Sequence, residues 1–260
     1  MSKGRFTIPT DESFVEGTKI IAEKWGADAV RDCDGTKLPE NPGQFGKVYN
    51  TYFVVRGDNE WARKHPEEAQ RIFLLSNRNL ATNETLEIEI MKGFLKDEFD
   101  PDYAYIDLWE VYDRTTGIKH EKWGYNSING IVTIENAIPF HEYTVTFLAR
   151  VTWHPVQIYN YLTNEWTCEK QLTYDPAFPA TKKYIVEHMK KWCEENPETS
   201  VVRFTTFLYQ FTLIFNNLGK EKQVEWFGYA QTANPVLMEE FEKESGIHLF
   251  AEDFVDSGYY

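Results

Sequence analysis

Residues 25–36 read Trp25-Gly26-Ala27-Asp28-Ala29-Val30-Arg31-Asp32-Cys33-Asp34-Gly35-Thr36, and this stretch decides the fold class. Before it, Phe14, Thr18, Ile21, Ala22 and Trp25 recur at helical spacing, which predicts a helix over 11–25 capped by Thr10 or Asp11. Gly26 stops that helix. Residues 27–31 then predict a short strand, and 32–36 a polar turn at its C-terminal end. Helix, strand and polar strand end in this order point to an α/β fold.

The same rhythm returns downstream. Residues 143–153 form a nearly continuous β-branched and aromatic run, as expected for a strand buried on both faces. A polar loop follows over 154–175. A helix is predicted over 181–195, with Ile185, Met189, Trp192 and Cys193 on its buried face and Pro197 beyond its end. Residues 201–207 predict the next strand, and helices follow near 220–227 and 235–245. The second has Asn234 as cap, Pro235 at its first position and Gly246 past its end. Strand–loop–helix units of this kind imply parallel strands joined by right-handed crossovers.

Between these parts, from about 70 to 140, the pattern changes to short strands and turns. Residues 71–75, 85–90, 109–112 and 131–134 predict strands, with a turn at Thr115-Thr116-Gly117, and the segment reads as a β-rich insertion. A (β/α)8 barrel needs about 250 residues, and the chain has 260. The barrel-type strands found are only those near 28–31, 143–152 and 201–207. So few cannot close a barrel and would leave bare edges. The expectation is an α/β fold, either an open sheet or the N-terminal, incomplete part of a (β/α)8 TIM barrel carrying a β-rich insertion.

Composition excludes several classes. With 42% hydrophobic and 26% charged residues the chain is globular, and it has no internal repeat or low-complexity stretch. The densest apolar run, 207–215, is broken by Gln210 and Thr212 and is too short to span a bilayer. No signal peptide is visible after Met1, and Cys33, Cys168 and Cys193 form no disulfide framework, so a cytoplasmic location is expected. A net charge of -14 argues against nucleic acid and anionic membranes as partners. The 8 Trp and 15 Tyr supply flat apolar faces of the kind that suit sugar rings.

The strand ends carry the candidate chemistry, because barrel sites are built there. They offer Arg31, Asp32 and Asp34; His154, Gln157, Asn160, Asn164 and Glu165; and Arg203, Thr205 and Thr206. An arginine within an apolar strand must be paired or face a ligand, so Arg31 and Arg203 are either structural ion pairs or ligand groups. Asn164-Glu165 has the look of a glycosidase acid/base pair, but a solvated loop glutamate explains it as well. No HExxH, CxxC, GxSxG or phosphate-loop motif is present, and no metal site is assigned.

The motif blocks run through the chain in order. They are Gly4-Arg5-Phe6-Thr7; 25–32 with Asp34-Gly35-Thr36; His141-Glu142-Tyr143-Thr144-Val145; Pro155-Val156-Gln157 with Tyr159-Asn160; Leu162-Thr163-Asn164 with Trp166; 202–207 with Tyr209-Gln210-Phe211-Thr212; and Asp253-Phe254-Val255-Asp256. Together they resemble the N-terminal catalytic region of the lacto-N-biose / galacto-N-biose phosphorylases, glycoside hydrolase family 112. The resemblance implies the barrel, and it implies inverting phosphorolysis of a β-galactoside to galactose 1-phosphate and a free sugar. Members are longer, intracellular and usually dimeric. They use inorganic phosphate as co-substrate and no cofactor or metal.

An inverting phosphorylase needs one carboxylic acid for the leaving oxygen and cationic or hydrogen-bonding groups to hold the phosphate dianion. By resemblance that acid is an aspartate beyond Tyr260, so no catalytic residue is assigned within the chain. Arg31, Asn160 and Arg203 are implied as donors to sugar hydroxyls, and Val156 as a lining of the acceptor subsite. Tyr229 stands in Trp226-Phe227-Gly228-Tyr229-Ala230, where the lacto-N-biose type carries cysteine. A tyrosine there would crowd a 2-acetamido group, which opens β-1,4-galactosyl-L-rhamnose as an alternative substrate. A truncated, non-catalytic sugar-binding module is the alternative of a different class.

Overall fold

The computed structural model describes residues 6–32, 36–94, 99–153, 169–205 and 233–255. In chain order the strands are β1 (Thr7–Pro9), β2 (Ala29–Arg31), β3 (Lys47–Phe53), β4 (Arg71–Leu75), β5 (Asn79–Leu80), β6 (Thr85–Glu89) and β7 (Phe99–Pro101). There follow β8 (Glu110–Asp113), β9 (Ile118–Lys119), β10 (Trp123–Asn126), β11 (Ile131–Glu135), β12 (Glu142–Trp153), β13 (Gln171–Leu172) and β14 (Val201–Thr205). The helices are α1 (Val15–Trp25), α2 (Asn59–Lys64), α3 (Pro179–Glu195) and α4 (Pro235–Ser245). The chain divides into two units, one of Met1–Glu68 with His154–Gln210, the other of Ala69–Trp153 with Phe211–Tyr260.

The first unit is built on a parallel sheet in the order β1-β2-β3-β14. Asp11 starts its first helix by accepting from the Ser13 amide at 3.0 Å, and a short 3-10 turn, Glu12–Phe14, leads into α1. Gly26 ends α1 in the left-handed conformation (φ 67°), which a side chain would disfavour. Val15, Ile21 and Ala22 pack on the buried residues Ile8, Val30, Phe45 and Val48. The expected stripe needs correction at both ends. Phe14 and Trp25 are 58% and 60% exposed. Phe14 belongs to the 3-10 turn, whose tighter winding takes it off the α-helical stripe.

Gly46 (φ 105°) lets β3 approach β2. A Cβ there would collide with the Asp28 carbonyl, which accepts from the Lys47 amide at 3.0 Å. Farther along β3 on the same face, Ile185, Met189 and Trp192 of α3 pack around Tyr52 and Val202. Cys193 is exposed rather than buried, since it lies about 100° round the helix from Trp192.

Four consecutive parallel strands with helices packed on one face form the first arc of a (β/α)8 barrel, and among the described residues that arc is not closed. Two of its strands, β1 and β3, are not among those predicted. One predicted barrel strand, 143–152, belongs elsewhere. It is β12 of the second unit, antiparallel to β4, β5, β7 and β8. Residues 143–149 are all buried. Central antiparallel and parallel strands present the same two-faced apolar pattern, which is why the run misleads. A smaller sheet, β10-β11-β6, buries Ile88, Val132 and Ile134.

Candidate functional site

Strand alternation sorts the residues of the parallel sheet by face. Ile8, Val30 and Val48 point to α1, while Tyr52 and Val202 point to α3. The residues in between, Arg31, Tyr49, Thr51 and Arg203, therefore share the opposite face, which in a barrel is the lumen. In register, Arg31 lies beside Tyr49 and Arg203 beside Thr51. Arg31 is the last residue of β2, at the C-terminal end where barrel enzymes place their chemistry, and Arg203 is the third of the five residues of β14.

The two side chains converge. Arg31 donates from Nη1 to the Asp32 carbonyl at 3.2 Å, and Arg203 donates from Nη1 to the same oxygen at 3.1 Å. Arg203 Nη1 is also 3.6 Å from Asp32 Oδ1. The Asp32 carboxylate accepts from the Thr51 amide at 3.0 Å and from the Thr51 hydroxyl at 2.8 Å. A guanidinium carries five N–H donors in a planar fork, and the Arg203 side chain is 38% exposed. Such a pair can hold vicinal hydroxyls or an anionic oxygen.

Beneath the sheet, toward α3, lies an aromatic and polar cluster. Trp61 stacks on Tyr184 at 4.0 Å and on His65 at 3.9 Å. The Tyr184 hydroxyl donates to Asp58, and the Tyr52 hydroxyl meets His188 Nδ1 at 2.9 Å. Burial pushes the Tyr52 phenol up to about 12. Burial also pushes the Asp58 carboxyl up, but bonds from Tyr184 and the Trp61 amide more than offset this and hold it below the usual carboxylate range. Asp58 caps α2 in this way, so these groups hold helices in place.

Ligand atoms of His65, Glu67 and Glu68 lie within 4.8 Å of one another. Glu68 is already committed, accepting from the Thr181 amide at 3.0 Å and from the Thr181 hydroxyl.

Of the residues implied as sugar contacts, Arg31 and Arg203 come together as described. Val156, Asn160 and Tyr229 lie outside the described residues, as do Asp34, His154, Gln157, Asn164, Glu165 and Thr206. Sequence reading missed Tyr49 and Thr51, because β3 (KVYNTYF) mixes polar and aromatic residues on both faces and shows no clean period.

Residues 4–260 match the family model described as the lacto-N-biose phosphorylase N-terminal TIM barrel domain. A 1,3-beta-galactosyl-N-acetylhexosamine phosphorylase of Lachnoclostridium phytofermentans is 46% identical over 265 residues, covering 99% of this chain and 36% of that protein. One of the same description from Bifidobacterium longum subsp. longum is 44% identical, covering 100% and 35%. A D-galactosyl-beta-1->4-L-rhamnose phosphorylase of L. phytofermentans is 36% identical, covering 99% and 37%. The chain thus spans about a third of the length of these relatives. With nearly every residue inside the family match, the chain belongs to the lacto-N-biose phosphorylase family, within its N-terminal TIM barrel domain.

Proposed function

We propose that residues 1–260 form the N-terminal portion of the catalytic barrel of a disaccharide phosphorylase. The reaction is inverting phosphorolysis of β-1,3-galactosyl-N-acetylhexosamine, lacto-N-biose or galacto-N-biose, to galactose 1-phosphate and the free sugar. The observation that carries this reading is the convergence of Arg31 and Arg203 on the lumen face of the parallel sheet. Arg31, Asn160 and Arg203 bind galactosyl hydroxyls, while Val156 and Tyr229 shape the acceptor side. Phosphate needs no general base, since it is already a nucleophile at neutral pH. It needs only a general acid at the leaving oxygen, supplied by a residue outside 1–260. The reaction uses inorganic phosphate and no other cofactor, in a cytoplasmic, dimeric, full-length protein. Among the described residues no helix is long and apolar enough to cross a membrane.

A second reading, β-1,4-galactosyl-L-rhamnose phosphorolysis, is favoured by one observation, tyrosine rather than cysteine at Tyr229. The test is to incubate the gene product at its natural length with lacto-N-biose, galacto-N-biose and galactosyl-rhamnose, with and without phosphate. Galactose 1-phosphate that appears only with phosphate supports the reading, and the preferred disaccharide separates the two substrates. Arg203→Ala is expected to lower kcat/KM by about 10- to 100-fold, the worth of a charge-assisted bond to substrate. Release of free galactose without phosphate would overturn the phosphorylase reading.

A further inference from the structure

Helix α4 is well capped and poorly covered. Asn234 caps its start and Gly246 (φ 72°) ends it in the left-handed conformation, yet of its 11 residues Pro235 alone is buried. A helix this short is marginal in water and draws its stability from packing an apolar face. Leu237 and Phe241, one turn apart, are 43% and 42% exposed. Val236 and, just past the helix, Ile247 and Phe250 are exposed as well. Large apolar side chains gathered on one short element mark an interaction surface, whereas single scattered ones do not.

Beside Leu237 and Phe241, α4 faces the 3-10 turn Tyr103–Leu108 across a cleft of about 220 Å³, all within the antiparallel unit. Leu108, Met238 and Leu249 give the cleft apolar walls, and Asp107, Glu239 and Glu242 line it with carboxylates. It is smaller than the roughly 300–1,000 Å³ of small-molecule sites, so it suits one long side chain better than a sugar. Glu242 stands 2.9 Å from His248 Nδ1. Glu239 stands 3.5 Å from Lys243 Nζ, in an exposed pair that contributes little. Glu240 and Glu244 carry the negative charge along the exposed side of the helix, against one lysine, Lys243.

We propose that this face of α4 is the docking surface for a basic, amphipathic segment of the same polypeptide. The relatives are matched over 35% to 37% of their length, and such a segment belongs to the part outside that match. A lysine or arginine of the segment enters the cleft. Its aliphatic stem lies on Leu108, Met238 and Leu249, and its cation meets the carboxylates of Asp107, Glu239 and Glu242. Its apolar residues cover Leu237 and Phe241. A second copy of the chain docked two-fold through this face would set glutamates against glutamates, because such a contact brings each patch against itself.

The experiment is amide hydrogen exchange, read by mass spectrometry over residues 238–245, on the gene product at its natural length. The variant is Asp107→Lys, which places a cation in the cleft without altering α4 itself. With a cationic occupant in place the new lysine displaces it, and exchange over 238–245 is expected to quicken by about tenfold as the helix loses its cover. In an empty cleft the new lysine would instead pair with Glu239 and Glu242 and steady the helix. Unchanged or slower exchange would therefore overturn the proposal. Should Asp107→Lys fail to fold, Asp107→Asn removes one carboxylate from the occupant, and exchange is expected to quicken about threefold. In an empty cleft it would only relieve repulsion, leaving exchange unchanged or slower, which overturns the proposal equally. The wild-type protein is measured at two concentrations. Protection of 238–245 that is the same at both supports an occupant from the same polypeptide, and protection lost on dilution would assign the face to a second copy and overturn it.

Discussion

Arg71 and Asp102, in the antiparallel unit, are 3% and 6% exposed and meet at 2.8 Å, whereas Arg203, in the parallel unit, keeps 38% of its side chain exposed and stands 3.6 Å from Asp32. The first pair is closed. Arg71 also lies 4.8 Å over the Tyr105 ring and donates to the Ala69 carbonyl at 2.9 Å, so its capacity is spent inside the protein. The second is partial, with Nη1 held at Asp32. The same contrast recurs across the two units. In the antiparallel unit Arg114 meets Glu252 through two bonds of 2.7 Å. His141 meets Asp113 at 2.7 Å. Buried charges that satisfy one another hold a fold together. Charges held at one atom and left accessible at the others are equipped to bind.

The sharpest way to break this comparison is to open the closed pair. Removing one partner of a buried ion pair strands the other, which costs about 3–5 kcal/mol. Arg71→Ala is therefore expected to destabilise the protein by that amount in denaturant or thermal unfolding. Arg203→Ala, with its more exposed side chain, is expected to change unfolding little while it depresses turnover. If the two variants instead lost stability equally, the distinction between structural and functional arginines would fail.

A smaller effect sharpens it through pH. Burial pushes the Asp113 carboxyl up, but bonds from His141 and from Thr116 and Thr115 more than offset this, so it titrates below the usual carboxylate range. A carboxyl whose folded value lies below its unfolded value stabilises the fold above the unfolded value. That stability is lost as pH falls through the folded one. Asp113→Asn is thus expected to cost about 1–3 kcal/mol near neutrality. The deficit should shrink below about pH 4, where the unfolded carboxyl also protonates. Urea unfolding of both proteins across that range measures it, and a deficit independent of pH would assign the effect to packing instead.

How much of this was legible in the sequence depends on how local each signal is. The strand at Ala29–Arg31 and helix α4 were readable, because each is set by neighbours a few residues away. The two arginines could be placed on strands, though only Arg31 ends one, and Arg203 lies inside β14. Their shared acceptor could not, since it depends on the registers Arg31↔Tyr49 and Arg203↔Thr51. Strand β1 was hidden by its length, three residues ending in Pro9. Strand β12 was visible as a strand but not as antiparallel, because burial on both faces erases the alternation that would tell the two apart.

The helix starts show the same division between local and long-range. Helix α3 follows Phe178, whose side chain offers no cap. Its Thr181 amide instead bonds Glu68, 113 positions earlier in the chain. Helix α4 is capped from next door, with Asn234 Oδ1 accepting from the amides of Val236 at 2.9 Å and Leu237 at 3.4 Å. A cap of this kind satisfies donors that have no partner within the helix. Asn234→Ala is expected to cost about 1 kcal/mol, and Asn234→Ser or Asn234→Asp to restore most of it, because either supplies an oxygen at the same place. Because α4 belongs to the antiparallel unit, the loss should appear in thermal unfolding and leave the KM for galactosyl substrates unchanged. A rise in that KM with Asn234→Ala would show that the parallel unit does not hold its arginines by its own contacts, and the division of labour between the two units would have to be abandoned.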